Sequence, residues 1–310
     1  VLSPLDLPFA RSVHDRAAHR RAEPALLDLL RADETTRVLQ VRGTRVAVAE
    51  ADGLPRPALV PAGHLRDDGT WLFLGEHEGA GILALALPDD GTPGAPDAGG
   101  EAGAWAGLRE LPALDGLEQG LVVEAVALAQ WHTAHEHCPR CGAPTQVGQA
   151  GWTRVCTTEG RELYPRTDPA VIMAVVDDAD RILLAHAAAW PRGRYSTLAG
   201  FVEPGEGLEN AVRREVAEET GVGIGTEPHD VVYRGSQAWP FPASLMVGFR
   251  ARAVSTDVRV DDLEISEARW FTRDSLLAAL EAEEVRMPGP QSIARALIEE
   301  WYGGELPGAW

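Results

Sequence analysis

Arg214, Glu215, Glu218 and Glu219 crowd four ionisable side chains into six residues. They follow a turn rich in Gly and Pro, inside GFVEPGEGLENAVRREVAEETGV, residues Gly200 to Val222. No Pro or Gly interrupts Glu209 to Glu219, and Gly221 offers a stop, so the spacing predicts a loop and then a short helix. Residues three and four apart share a helix face. Glu215, Glu218 and Glu219 therefore gather on one side, while Ala211, Val212 and Val216 supply an apolar side. Like charges at that spacing repel, so a cation belongs among them. Several carboxylates with room for water suit a hard ion, Mg²⁺ or Mn²⁺. Arg214 can brace a carboxylate through a bidentate pair.

A solvated acidic helix face is the plainer alternative. Against it stands the joint spacing of Gly200, Glu206, Arg214-Glu215, an aliphatic residue, Glu218-Glu219, Gly221 and a further aliphatic residue. This pattern resembles the complete Nudix box, with no departure at any fixed position. The resemblance implies an α/β/α sandwich around a mixed sheet. It also implies hydrolysis of a nucleoside diphosphate linked to a second group.

Downstream lies SQAWPFPAS, Ser236 to Ser244. Trp239 and Phe241, interleaved with Pro240 and Pro242, make a stiff aromatic ledge suited to a flat base. A Trp-Pro cluster packed in a core is the competing reading. The stretch resembles the SQPWPFPxS element of the NADH pyrophosphatase (NudC) branch of the Nudix family. Ala238 stands in place of a proline, which is expected to loosen the ledge. The resemblance covers about residues 130 to 300 well and the N-terminal part loosely.

That branch implies roles for particular residues. Glu215, Glu218, Glu219 and Glu264 would hold Mg²⁺ or Mn²⁺, with the backbone carbonyl of Ala199. Glu219 would also help activate the attacking water, and Arg214 belongs to the same catalytic group. Asp261, Asp262 and Glu267 compete with Glu264 for its place. Phe201 would stack on nicotinamide. Gln237, Trp239, Phe241, Ser244 and Ala294 would contact substrate. Tyr164 and Ile172 would line a site completed across a homodimer.

Ahead of the box, Cys138 and Cys141 form a C-x₂-C knuckle, and Cys156 follows in RVCTTEG. A four-Cys ribbon would need a cysteine where Glu159 stands. Three readings remain side by side. Structural Zn²⁺ is held by Cys138, Cys141, Cys156 and Glu159; or His137 or a water takes the fourth position; or the metal is lost and packing alone holds the ribbon.

With 310 residues the chain can build two domains with their own cores. A net charge of −19 argues against broad binding to nucleic-acid backbones or anionic membranes, so neither DNA nor a membrane is an expected partner. No apolar run reaches spanning length, no signal layout opens the chain, and three cysteines give no disulfide framework. These features point to the cytoplasm.

The expected fold is α+β / α/β. Residues 1–110 form a β-rich N-terminal domain, with strands in Val38–Glu50, Thr70–Glu76 and Gly81–Pro88, and a short helix over Pro24–Arg31 with its proline in the first turn. Asp89 to Trp105 reads as a loop or linker. Residues 111–165 hold a connecting helix, Glu118 to His135, and the ribbon-like module. Residues 166–310 form the Nudix domain. In it, Ala170–Val176 pairs with Arg181–Ala188 across a tight turn. Strands follow at Val231–Gly235, Ser244–Val254 and Ala268–Thr272. Asp274 caps a helix from Ser275, and a last helix runs from about Ser292 to Tyr302.

The reaction that fits best is hydrolysis of NADH or NAD⁺ to NMN(H) and AMP, with removal of an NAD cap from RNA 5′ ends as the same chemistry. The alternatives are another dinucleotide substrate, such as ADP-ribose or diadenosine polyphosphate, or a non-catalytic nucleotide-binding protein on the same scaffold. The intact box glutamates weigh against the second.

Overall fold

The computed structural model describes residues 5–65, 68–88, 104–111, 114–260 and 263–309. Most of the expected loop from Asp89, together with Asp261 and Asp262, lies outside them. The chain divides into two compact units. One comprises Arg11–Thr167 with Trp239–Ala243; the other comprises Asp168–Ala238 and Ser244–Trp310 with the N-terminal segment up to Ala10.

The first unit begins with helix α1 (Leu26–Ala32) and strands β1 (Arg37–Arg42), β2 (Arg45–Ala51), β3 (Leu54–Pro57), β4 (Leu59–Pro61), β5 (Thr70–His77), β6 (Ala80–Leu87) and β7 (Ala104–Gly107). These strands form one sheet in the order β3-β2-β1-β6-β5, with β4 beside β1 and β7 beside β2. Pro24 precedes the helix instead of entering its first turn, because Ala25 takes a left-handed φ of 58° before Leu26 starts α1. Trp105, expected at the end of a loop, belongs to β7.

Helix α2 (Gly116–Ala134) starts two residues before Glu118 because Asp115 caps it. The Asp115 carboxylate accepts from the N–H groups of Leu117 and Glu118, both at 2.8 Å, and Glu118 reaches back to the Asp115 N–H at 3.0 Å. The helix is apolar on nearly every side and correspondingly buried. Strands β8 (Thr145–Gly148), β9 (Thr153–Cys156) and β10 (Glu162–Leu163) follow as a three-stranded ribbon.

The second unit is built on β11 (Asp168–Val176), β12 (Ile182–Ala187), β13 (Leu198–Phe201), β14 (Val231–Trp239), β15 (Ser244–Arg252) and β16 (Ile265–Phe271). Its sheet runs β14-β15-β11-β12-β16 and is mixed, since β11 and β15 are parallel while β12 is antiparallel to both β11 and β16. On the side away from β15, β11 changes partner. Residues Ala170 to Met173 pair with β13, and Val175 and Val176 pair with β12. The sheet therefore opens where the box begins.

Helix α3 (Leu208–Thr220) covers one face, packing Ala211, Val212 and Val216 against Val171, Met173, Val175 and Phe249. Helices α4 (Arg273–Glu281) and α5 (Ile293–Tyr302) cover the other, against Ile172, Ala174, Ile182 and Leu184. Alternate residues of β11 thus feed opposite cores, as a pleated strand requires. This is the expected α/β/α sandwich. Two local expectations are corrected. The cap of α4 is Thr272, whose hydroxyl accepts from Ser275 N–H at 3.1 Å, so Asp274 lies inside the first turn. Strand β14 extends to Trp239, so Ser236, Gln237 and Ala238 are strand residues.

Candidate active site

Buried positions along α3 are Ala211, Val212, Glu215, Val216, Glu219 and Thr220. They recur at four-residue steps in two adjacent rows, which define one helix face. Glu215 and Glu219 therefore lie at the edge of the apolar stripe, 9% and 6% exposed. Glu218, on the outer side, has a side chain 60% exposed. The sequence placed all three glutamates on one face; the structure turns two inward and one outward.

Arg214 binds the turn to the helix. Its Nε and Nη2 donate to the two oxygens of Glu206 at 2.9 and 2.8 Å. Its Nη1 donates to Glu215 at 2.8 Å and to Glu218 at 3.0 Å, and Nη2 also reaches the carbonyl of Phe201 at 2.9 Å. Glu206 is the carboxylate of the bidentate pair, a role its place in the box alone does not disclose. The Arg214 guanidinium holds Glu206 below the usual carboxylate range. Hydrogen bonds to Glu206, and next to Glu215 and Glu218, push Arg214 further up. Burial pushes Glu215 up, Arg214 opposes that, and the charges of Glu218 and Glu264 add to it.

One guanidinium thus serves three carboxylates, and Glu215 feels the charge of a fourth, Glu264. Glu264 is exposed just ahead of β16, and its backbone carbonyl accepts from Ala188 N–H at 2.9 Å. A partly buried set of hard oxygen donors with excess negative charge fits Mg²⁺ or Mn²⁺.

The remaining residues implied by resemblance fall into distinct settings. Ala199 pairs with Ile172 across β13 and β11. Ile172 and Ala294 are buried in the α5-side core, at 5% and 3% exposure. Phe201, at the end of β13, is 60% exposed. Ser244 opens β15 opposite Asp168. Gln237 is occupied by the fold. Its amide donates to the carbonyls of Pro8 and Gln291 at 2.7 and 2.8 Å and accepts from Ile293 N–H at 3.0 Å, so it fastens the start of α5.

In the other unit, Trp239 and Phe241 meet edge to face with centroids 5.1 Å apart. Both are half-buried. The Phe241–Pro242 peptide is cis. The guanidinium of Arg109 lies 5.0 Å from the Trp239 ring and 4.9 Å from Phe241, within cation–π range. Arg109 carried no sequence signal, because it sits 130 residues before Trp239 in an otherwise unremarkable turn. Tyr164 is 62% exposed, and its hydroxyl donates to Glu162 at 2.7 Å.

In the same unit, the ligand atoms of Cys138, Cys141 and Cys156 lie within 4.8 Å of one another. Cys141 and Cys156 approach to 3.4 Å. The S···S edge of a tetrahedral zinc–thiolate site is about 3.8 Å, from Zn–S of about 2.3 Å, so the three sulfurs fit that ion. N–H groups of Cys141 and Arg140 draw the Cys138 thiol below its ordinary value. Glu159 stands apart from the cluster, with carboxylate oxygens 3.8 Å from Arg140 and 3.7 Å from Arg161.

Comparison with known proteins agrees with this geometry. Residues 166–288 match the NUDIX domain model, and residues 134–164 match the NADH pyrophosphatase zinc ribbon domain. The proteins named NAD-capped RNA hydrolase NudC from Mycobacterium bovis and Mycobacterium tuberculosis are 42% identical over 288 residues, spanning 89% of this chain and 86% of theirs. Human NAD-capped RNA hydrolase NUDT12 is 42% identical over 196 residues, which cover 59% of this chain and 42% of that protein. The box geometry, the ribbon that precedes it and this degree of identity lead to one conclusion: the chain belongs to the Nudix hydrolase family, in the NADH pyrophosphatase branch.

Proposed function

We propose that this protein hydrolyses the pyrophosphate bond of NADH or NAD⁺, giving NMN(H) and AMP, and that it removes the NAD cap from RNA 5′ ends. The observation that carries the reading is the carboxylate pair Glu215–Glu219 at the rim of a core, with Glu215 braced by Arg214. Such a pair is poor packing and good cation chemistry. The relatives' names, which give NAD-capped RNA, and the ribbon family's name, which gives NADH, support the choice of substrate.

When bound, Mg²⁺ or Mn²⁺ would neutralise the diphosphate and lower the pKa of a water. Glu215, Glu219, Glu264 and the Ala199 carbonyl are the groups assigned to hold it, with Glu218 as an outer ligand. Arg214 fixes the rotamers of Glu206, Glu215 and Glu218, so that these oxygens need no reorganisation during the reaction. Glu219 accepts a proton from the attacking water at a carboxylate oxygen. The water oxygen bonds to one phosphorus, the bridging P–O bond breaks, and a second phosphate leaves. With capped RNA the products are NMN and a 5′-monophosphate end.

Phe201, Trp239 and Phe241 are assigned the flat groups of the substrate. Tyr164 and Phe201 are exposed to a degree that suits aromatics completed by a second copy, and we assign the active form as a cytoplasmic homodimer. In this reading residues 166–310 carry the chemistry, residues 111–165 a structural ribbon, and residues 1–110 support the ledge through Arg109.

Product analysis tests the proposal. NADH with Mg²⁺ or Mn²⁺ should yield NMNH and AMP, and NAD-capped RNA should yield NMN. Much faster turnover of ADP-ribose than of NADH would overturn the nicotinamide assignment.

A further inference from the structure

The two halves of the ribbon repeat one local structure. In the first, Cys138 to Gly142, the Gly142 N–H donates to the Cys138 carbonyl at 2.9 Å, and Gly142 has φ 72°. In the second, Cys156 to Gly160, the Gly160 N–H donates to the Cys156 carbonyl at 2.9 Å, and Gly160 has φ 64°. Glycine adopts that left-handed conformation without steric cost. The N–H of Glu159 points at the Cys156 sulfur at 3.4 Å, as the N–H of Cys141 does at that of Cys138. Glu159 therefore occupies in the second turn the position that Cys141 holds in the first.

His137, the rival protein donor, has no such placement. It precedes the first turn and pairs through its backbone with Pro144. The Glu159 carboxylate lies 3.8 Å from Arg140 and 3.7 Å from Arg161, beyond ordinary hydrogen-bond distance. These are ion pairs without a hydrogen bond, so a turn of the side chain toward the three sulfurs breaks no hydrogen bond to either arginine.

We infer that Glu159 is the fourth ligand of a Cys₃Glu zinc site, and that this ligand makes the ribbon exchange its metal more readily than four thiolates would. A carboxylate oxygen is a harder donor than a thiolate and binds zinc less firmly in a sulfur-rich site. When it leaves the metal, Arg140 and Arg161 receive it, so opening the site does not strand a charge. Cys141 is exposed while Cys138 and Cys156 are 2% and 1% exposed, so a competing chelator has one open approach. The closed site would carry two net negative charges, and the same two arginines face them.

The test uses the full-length protein and its zinc alone. Elemental analysis should find about one zinc per chain. Release to a chromophoric chelator should be about tenfold or more slower in Glu159→Cys than in the wild type, and correspondingly faster in Glu159→Gln. His137→Ala should release zinc at the wild-type rate. A second readout is the visible spectrum of the Co²⁺-substituted protein, whose thiolate charge-transfer intensity should rise by about a third in Glu159→Cys as a fourth sulfur joins three. Equal release rates and identical Co²⁺ spectra in wild type and Glu159→Cys would overturn the assignment. So would loss of zinc from His137→Ala, or a zinc-free wild type that is normally folded.

Discussion

The carboxylate of Glu215 occupies the space where a Cβ on Gly200 would stand. A methyl group there would overlap Glu215 Cδ and both of its oxygens far inside van der Waals contact. The glycine that opens the box thus serves the helix 15 residues later, by letting α3 lay the Glu215 carboxylate directly on β13. Gly200 is not in the left-handed region, so what it supplies is room. Gly200→Ala should leave the fold intact and displace Glu215. We expect activity to fall by about 10- to 100-fold, as for loss of a group that orients a metal ligand. Steady-state kinetics across a Mg²⁺ titration checks this; an unchanged Mg²⁺ requirement would contradict it.

Glu206 stands one step further out. It lies in the turn ahead of α3 and takes both ends of the Arg214 fork. Glu206→Gln keeps the shape and removes the charge, leaving Arg214 bound to Glu215 and Glu218 alone. That over-neutralises the site. We expect weaker Mg²⁺ or Mn²⁺ affinity by about tenfold, with saturating metal restoring most of the rate. Glu215→Gln and Glu219→Gln should differ in kind, abolishing turnover at any metal concentration while melting at or above the wild-type temperature.

Arg109 gives the aromatic ledge a cation that the charge-poor stretch SQAWPFPAS lacks. Exposed cation–π contacts are worth roughly 0.5–1 kcal/mol each. Removing both should raise KM for NADH on the order of fivefold, with kcat little changed. Arg109→Lys should recover part of this and Arg109→Met should not. An equal loss in both variants, or an effect on kcat alone, would show that the ledge does not depend on this charge.

What was readable beforehand follows from how far each signal travels along the chain. The box helix was legible because its apolar residues and its stop both lie within 13 residues. The direction of each glutamate was partly legible: Ala211, Glu215 and Glu219 share a row by spacing, yet Glu218 was grouped with them until the sheet showed which side is inside. Thr272 and Asp274 are both competent caps two residues apart, and Thr272 takes the role through its reciprocal bonds with Ser275. Gln237 looked like a substrate contact because it sits in a recognisable element, but its partners Pro8, Gln291 and Ile293 are distant in sequence. Arg109 needed the folded chain, whereas the place of Glu159 was legible from the three-residue spacing that Cys138 and Cys141 share with Cys156 and Glu159; the backbone added only the matching turns.

The last prediction concerns stability and pH. His132, on α2, is buried with Nε2 2.8 Å from the Gly151 carbonyl and Nδ1 3.1 Å from an Arg154 nitrogen. A guanidinium only donates, so Nδ1 must accept, and Nε2–H donates to Gly151. Protonating Nδ1 would set two donors against each other in a buried place. Burial, reinforced by the charge of Arg154, lowers the pKa from 6.5 to about 4. The unfolded chain therefore binds the extra proton first as pH falls. Full stability is present above pH 6.5 and is lost progressively toward pH 4, by about 3 kcal/mol for this group at 1.36 kcal/mol per unit. Urea unfolding at pH 7 and pH 4.5 should show that loss in the wild type. In His132→Gln, which can still donate to Gly151 and accept from Arg154 but cannot charge, the loss should be smaller by about 2–3 kcal/mol. Equal pH dependence in the two proteins would mean that His132 is protonated in the fold.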